Sequence, residues 1–379
     1  MRIAFVTLMG GAPWGGSEAL WHAAALYALQ KGDSIFVSVY DWGTIHPKIK
    51  QLEDAGAIIF LRKKYNPSAG YIQKLKRFIF HRMPMSNKDY QTIFNFKPAA
   101  VFISQGDSFD LAIHHSPLYH LLIKNKIPYS FVCHSHAQYG FIPPQSIYPG
   151  AISIFKNAKN IYFVSNRQWH LTERRLIQTL KNAKFTWNPL SFPIGSEPLQ
   201  WPAENPIQMA MVGNLDDMKG HDTAFEALSS DVWKSRYWHL NIYGNGHGIT
   251  YLKDLAVYYN IVEKITFQGY VNDIKEAWMT NHLLLIPSSG EGLPTSLIEA
   301  MVCGRPAVVT DVGGNVELVE ENISGFIAAS PTVSAFAEAL EKAWKYRTGW
   351  QQMGKAAFVT VTKIIDTDPH IKIYDLLKD

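Results

Sequence analysis

Pro287-Ser288-Ser289-Gly290-Glu291-Gly292-Leu293-Pro294-Thr295-Ser296-Leu297-Ile298-Glu299-Ala300-Met301 decides the reading of this chain. It follows Leu283–Ile286, a short run with no polar residue. Pro294 suits the first position of a helix, and Gly304 with Pro306 suits its end. The stretch therefore reads as strand, glycine-bearing loop and helix. A helix N-terminus offers unpaired N–H groups and partial positive charge, which suit a phosphate without any basic side chain. Glu291 in the loop and Glu299 on the helix add two strong acceptors of the kind that vicinal sugar hydroxyls need.

The same alternation runs through the whole chain. In the first half, strands are expected at Ile3–Thr7, Ser34–Val39, Ala57–Leu61, Ala100–Ser104, Tyr129–Cys133 and Ile161–Val164. A helix is expected within Gly16–Lys31, stopped by Gly32. In the second half they are expected at Gln208–Val212, His239–Tyr243, Ile265–Gln268, Leu283–Pro287, Pro306–Thr310 and Gly325–Ala328. Hydrophobicity along these runs is continuous rather than alternating, so both faces of each sheet should be covered by helices. Between the two series, Asn188–Pro206 holds Pro189, Pro193, Pro198, Pro202 and Pro206, which exclude a regular helix or a central strand. The expected architecture is two doubly wound α/β domains, residues 1–193 and 194–379, facing a central cleft where ligands meet the carboxyl ends of the strands. The final stretch, Val333–Asp379, is helical in pattern with an interruption near Asp366–Pro369.

Composition narrows the classes. The chain has 379 residues, 47% hydrophobic and 18% charged, as folded globular chains do. Its two cysteines, Cys133 and Cys303, exclude a disulfide framework or a cysteine-rich zinc site and fit a reducing cytoplasm. No apolar run approaches the roughly 18–20 residues of a membrane span, and Met1–Thr7 lacks the zones of a signal peptide. The net charge of +4 conceals a split. Residues 1–200 hold 22 Lys+Arg and 10 Asp+Glu, whereas 201–379 hold 14 and 22. Much of the basic excess lies in 62–82, which has Arg62, Lys63, Lys64, Lys74, Lys76, Arg77 and Arg82, no acid, and interleaved aromatic and aliphatic residues. Such a stretch is either a solvated face over the core or a patch that docks on an anionic membrane surface. No nucleic-acid-binding motif accompanies it.

Glu291, seven residues and Glu299 match the E-x7-E signature of retaining GT-B glycosyltransferases. Glu291-Gly292-Leu293-Pro294-Thr295 resembles glycosyltransferase family four. The resemblance runs through most of 205–345, by way of Val212-Gly213-Asn214-Leu215 with Lys219-Gly220, Tyr243-Gly244-Asn245-Gly246 and Phe267-Gln268-Gly269-Tyr270-Val271. It continues through Ala300–Pro306, Asp311-Val312-Gly313-Gly314 and Ser324-Gly325-Phe326. It is thinner in the first half, where Gly15-Gly16-Ser17-Glu18 resembles the family's Gly-rich loop and Cys133-His134 its active-site histidine.

The resemblance implies the GT-B fold, with the last helical stretch crossing back onto the N-terminal domain. It also implies a reaction: transfer of a sugar from a nucleotide-diphosphate-sugar donor to a hydroxyl of a glycan or lipid-linked acceptor, with no metal or other cofactor. Glu299 would bind the donor ribose, and Glu291 would hold sugar hydroxyls near the reacting carbon. Backbone amides of Gly292, Leu293, Pro294 and Thr295 would cradle sugar and phosphate, although proline itself brings no amide hydrogen. Lys219 would neutralise the departing diphosphate. His134 would contact the donor sugar, Gly16 the diphosphate or acceptor, and Tyr270 and Val271 the base. Asn214 stands where the family usually carries Arg. The protein would then work in the cytoplasm, at the inner face of the membrane if the acceptor is lipid-linked.

Rival readings are a nucleotide-sugar-binding subunit with little catalysis, motivated by Asn214, and a GT-B epimerase or phosphorylase, of which the phosphorylase needs a pyridoxal-phosphate lysine whose signature is not present. The H-x-H pair His134/His136 lacks a third ligand at fixed spacing. Asp366-Thr367-Asp368 lies in the C-terminal tail rather than between central strands. Gly10–Ser17 places Gly16 where a phosphate loop needs lysine, and 244–248 is not a dinucleotide fingerprint.

Overall fold

A computed structural model describes residues 1–63, 87–135, 143–203 and 206–379. The chain divides into two compact units, Met1–Pro189 with Asp366–Asp379, and Leu190–Ile365.

The first unit is built on β1 (Arg2–Thr7), β2 (Ser34–Asp41), β3 (Ile58–Lys63), β4 (Ala100–Asp107), β5 (Tyr129–Ser135), β6 (Ile161–Phe163) and β7 (Ala183–Phe185). They form one parallel sheet in the order β3-β2-β1-β4-β5-β6-β7. The second unit has β8 (Ile207–Val212), β9 (Trp238–Tyr243), β10 (Ile265–Gly269), β11 (Leu283–Ile286), β12 (Ala307–Thr310) and β13 (Gly325–Ala328). These also run parallel, in the order β10-β9-β8-β11-β12-β13. The continuous apolar runs are explained by burial: every residue of β11 and β12 is buried, and so is β1 beyond Arg2. Each sheet reverses its winding once, between β1 and β4 and between β8 and β11. Ligands of such sheets bind beyond the strand ends at those reversals.

The sequence divides the chain at 193/194, whereas the structure divides it at Pro189/Leu190. The proline-rich segment joins the second unit because that unit binds it. Arg305 is fully buried and donates to the carbonyls of Leu199 and Gln200, and its guanidinium lies 5.2 Å from the Trp201 ring centre. Ser191 reaches Glu299, as described below.

The last helix, Pro369–Lys378, belongs to the first unit and packs on Ala19–Gln30. Tyr374 Oη donates to Asp33 at 2.7 Å, and Tyr27 meets Tyr374 edge-on. Asp33 also pairs with the amino group of Met1.

Two local expectations are corrected. Pro294 is the residue before the helix rather than its first, since ψ of 122° keeps it extended and the helix starts at Thr295. Arg62 is not part of a surface patch. It is only 1% exposed, donates to the Thr7 carbonyl and to Tyr90 Oη, and lies over the Tyr40 ring at 4.4 Å. Residues 64–82 of the basic stretch lie outside the described residues. Among the described residues, no helix is long and apolar enough to cross a membrane.

Candidate active site

The reversal between β8 and β11 places two loops side by side, one carrying Lys219 and the other Glu291. Lys219 ends a short 3-10 turn, Asp217–Lys219, whose start is capped by Asp216 accepting from the Met218 amide at 3.1 Å. Its Nζ lies 2.7 Å from Glu291 Oε1, and Ser288 Oγ donates to the same oxygen at 2.8 Å. Burial alone would lower the Lys219 ammonium. The Glu291 carboxylate outweighs it and holds the group above its usual range, so Lys219 is charged.

The Glu291 loop is fixed from both sides. Thr310 Oγ1 donates to the Ser288 carbonyl at 2.6 Å, the Gly314 amide to Gly292 at 2.6 Å, and the Ser289 amide to Met218 at 2.9 Å. Two glycines allow this approach. Gly313, with φ of 54°, and Gly220, with φ of 67°, take the left-handed region. A Cβ at Gly313 would overlap the Glu291 carbonyl, and one at Gly220 the Pro287 carbonyl. Gly292, Leu293 and Pro294 are buried in the loop, and Thr295 is half-buried at the helix start.

Glu299 sits one turn into the helix Thr295–Val302 and is 8% exposed. Among the described residues its side-chain partner is Ser191 Oγ, which donates at 3.2 Å. Burial pushes this carboxyl up to about 7, against a smaller lowering by Ser191. A carboxyl in that condition is short of donors, and hydroxyls brought by a ligand would supply them. His221, next to Gly220, is 3% exposed, and neither ring nitrogen has a partner among the described residues. Burial pushes its pKa down to about 4, with Lys219 acting in the same direction.

The remaining expected residues are placed as follows. Asn214 is exposed in the loop after β8. Tyr270 is 63% exposed after β10, and Val271 is half-buried beside it. Gly16 and His134 lie in the first unit. Gly16 is exposed and opens the turn Gly16–Glu18 after β1. His134 lies within the last residues of β5 rather than after it. Ser104 Oγ is 3.1 Å from its Nε2, and Nδ1 is buried without a partner among the described residues. Burial pushes its pKa down to about 3, so the ring is a neutral hydrogen-bonding group. Glu18 is buried under Thr7, which donates at 2.9 Å, and Trp21 Nε1; burial pushes it up to about 7.

Sequence reasoning missed Ser288, Ser191, Ser104 and His221. Ser288 and His221 adjoin the recognised motifs, so position alone flags them. Ser191 is 108 residues from its partner Glu299, and nothing local marks it.

With this geometry in place, comparison with known proteins is informative. Residues 198–359 match the family model of the glycosyl transferases group 1. The matched span covers β8–β13, with both reversal loops and Glu299. An uncharacterized glycosyltransferase of Haemophilus influenzae is 30% identical over 131 residues, covering 34% of this chain and 37% of that protein. The Escherichia coli UDP-Gal:alpha-D-GlcNAc-diphosphoundecaprenol alpha-1,3-galactosyltransferase is 30% identical over 81 residues, 21% of each chain. The matches thus span about a third or less of the length of these curated relatives. Across the full chain, Anabaena HepE in complex with UDP superposes with a TM-score of 0.71 at 16% identity, covering 100% of both chains. The fold is GT-B, two parallel-sheet α/β units.

Proposed function

We infer that this chain is a retaining glycosyltransferase of the E-x7-E type, resembling family four. It would move a sugar from a nucleotide-diphosphate-sugar donor to a hydroxyl of a glycan or lipid-linked acceptor. The observation that carries the reading is the Lys219–Glu291 pair at the β8/β11 reversal, with donor-poor Glu299 on the helix that follows the Glu291 loop, within the segment that matches the family model. A nucleoside diphosphate sugar has a diphosphate for Lys219 and the amides before Thr295, a ribose for Glu299, and sugar hydroxyls for Glu291. The names of relatives agree with this chemistry: HepE is known with UDP, and the E. coli relative acts on a lipid-linked sugar.

In the proposed reaction the bond from the anomeric carbon to the diphosphate oxygen breaks, and its electron pair stays on the diphosphate. The acceptor oxygen attacks from the same face, and its proton passes to the departing phosphate oxygen. The carbon is oxocarbenium-like between these events. No protein nucleophile and no metal takes part. The protein contributes positioning and fixed charge. Lys219 stabilises the leaving group, and His134, neutral and held by Ser104, offers Nδ1 to a sugar hydroxyl. Gly16 approaches the diphosphate or acceptor by its backbone, while Tyr270 and Val271 flank the base. Asn214 leaves the diphosphate one cation short of the family pattern. That departure motivates the second reading, a nucleotide-sugar-binding subunit with weak catalysis. A lipid-linked acceptor would place the chain at the cytoplasmic face of a membrane, where anionic vesicles should bind it in a salt-dependent manner.

A screen of nucleotide sugars by thermal shift tests the binding claim. A donor at 100 times its Kd adds about 2.7 kcal/mol of stability. Donor turnover by the purified chain, unaffected by EDTA and lost in Glu291→Ala, tests catalysis. No shift with any donor refutes the reading. A shift with no turnover favours the binding subunit, and a trapped glycosyl-enzyme adduct refutes front-face transfer.

A further inference from the structure

The segment that opens the second unit is tied at two places to the helix Thr295–Val302 and the turn after it. The far tie is made of backbone and a buried cation. The Leu199 amide donates to the Cys303 carbonyl at 3.3 Å, and Arg305 donates to the carbonyls of Leu199 at 3.3 Å and Gln200 at 2.7 Å. Pro198 lies so close to Gly304 that a Cβ there would overlap the proline ring. The near tie is a side-chain contact: Ser191 Oγ donates to Glu299 Oε1 at 3.2 Å, one helical turn before Cys303. Ser191 lies two residues beyond Pro189, where the main segment of the first unit ends. Ser191 is exposed, whereas Glu299 is buried.

This contact has a consequence for any ligand of Glu299. A carboxylate offers about four lone-pair sites on two oxygens, so one serine fixes its plane without using up its capacity. With Oε1 engaged, Oε2 is left without a donor among the described residues. A carboxylate oriented before the ligand arrives avoids the ordering cost at binding. The serine bond also favours the ionised form, in opposition to the burial that pushes the carboxyl up to about 7. Few other groups titrate nearby. The Cys303 thiol senses Glu299 but is itself pushed up to about 12, chiefly by burial, and stays neutral. Of the elements packed on this helix, β12 carries no ionisable side chain, and Lys355 and Lys363 of Trp350–Ile364 are exposed.

We propose that Ser191 is a positioning residue for the ribose contact: its hydroxyl holds Glu299 Oε1 and presents Oε2 to the vicinal hydroxyls of the ligand. The ribose part rests on the transferase reading, and the holding of Glu299 does not.

Two measurements on the full chain test it, with Ser191→Ala and the hydroxyl-keeping Ser191→Thr. The first needs no ligand. Carbon-13 NMR of labelled glutamate carboxyls follows the Glu299 signal, assigned by its loss in Glu299→Gln. The titration midpoint, about 7 in the wild type, should move up by about 0.5–1 pH unit in Ser191→Ala and return in Ser191→Thr. The second is calorimetry with UDP, GDP, ADP and CDP. At neutral pH the tightest binder should lose about 2- to 10-fold in affinity in Ser191→Ala and regain it in Ser191→Thr. Its preference over the 2′-deoxy counterpart should shrink in the alanine variant alone, which a merely structural role would not produce. An unchanged midpoint overturns the proposal. So does a moved midpoint with unchanged affinity and preference, or tighter binding in Ser191→Ala, which would make the hydroxyl a placeholder that the ligand displaces. A moved midpoint with no nucleotide bound by the wild type upholds the holding of Glu299 and removes the transferase reading.

Discussion

Glu299→Gln should stabilise the ligand-free protein at pH 8 and change it little at pH 5. The wild-type carboxyl is held at about 7 against an ordinary 4.5, chiefly by burial. The folded state therefore prefers the protonated form. Below about pH 4.5 the carboxyl is protonated whether the chain is folded or not, and it contributes no penalty. As pH rises from 4.5 to 7, the unfolded chain has lost the proton while the folded chain retains it, so stability falls. Above 7 the deficit is constant, and the two pKa values bound it at ~3 kcal/mol. Glutamine does not titrate, and its amide oxygen can still accept from Ser191.

The variant-minus-wild-type difference should thus grow between about pH 5 and pH 7 to about 1–3 kcal/mol. Glu18 and Asp110, also pushed up to about 7, titrate in the same window, but they are common to both proteins and cancel. Two units need not unfold in one step, so the reporter should be local. Hydrogen exchange of the helix Thr295–Val302, at pH 5 and pH 8 with the intrinsic rate corrected, reads the opening free energy where Glu299 sits. A difference that is the same at both pH values would refute the reasoning. The functional arm runs in the opposite direction. Ribose hydroxyls need the carboxylate, so donor affinity should weaken in the wild type as pH falls through 7 and should be low at every pH in the glutamine variant.

Lys219→Met should lower kcat by about 100- to 1,000-fold, the loss typical for one preorganised charge partner, with the fold intact by circular dichroism. An unchanged kcat would remove Lys219 from the mechanism. Gly313→Ala should destabilise by more than about 1 kcal/mol and abolish turnover, because its Cβ displaces the Glu291 carbonyl; Gly32→Ala, with φ of 80° and open space around it, should show only the backbone penalty and full activity. Urea titrations with activity assays compare the two, and equal effects would mean the Glu291 loop is not packed as described. Glu291→Gln should abolish transfer yet leave nucleoside diphosphate binding equal or tighter, because Lys219 is released from its pair. Calorimetry showing weakening as large as in Lys219→Met would refute that coupling.

Most of the fold was legible because both sheets are parallel and covered on both faces, so their strands appear as unbroken apolar runs. The exception, β7, is only Ala183–Phe185 at the sheet edge, with Lys184 exposed at its centre. A strand of that length carries no periodicity. Glu291, Glu299 and Lys219 were legible as members of a motif series, but not as a cluster. The contact between Lys219 and Glu291 spans 72 residues and follows from strand order, which the sequence does not display. Arg62 misled for a related reason. It heads a run of cations, yet its position on β3 turns it inward, between the Tyr40 and Tyr90 rings. Charge runs report composition, whereas the direction of a side chain on a strand depends on register.

The charge split needs the same local treatment. The second half is net acidic, yet it carries the proposed site for an anionic donor. Whole-domain charge acts through solvent and is screened within about 10 Å at moderate salt. In the proposed site the field would come from groups in hydrogen-bond contact with the donor: the Lys219 ammonium, the amides at the start of Thr295–Val302, and the deficit of donors around Glu299. The Glu291 loop is set in place by close backbone approaches at Gly220 and Gly313 and by the Thr310 hydroxyl before any ligand arrives. On the proposed reading, the basic excess of the first half would bear on the acceptor or a surface rather than on the donor. With Arg62 internal and bonded to Thr7, that excess has to be sought in other residues than the one that introduced it.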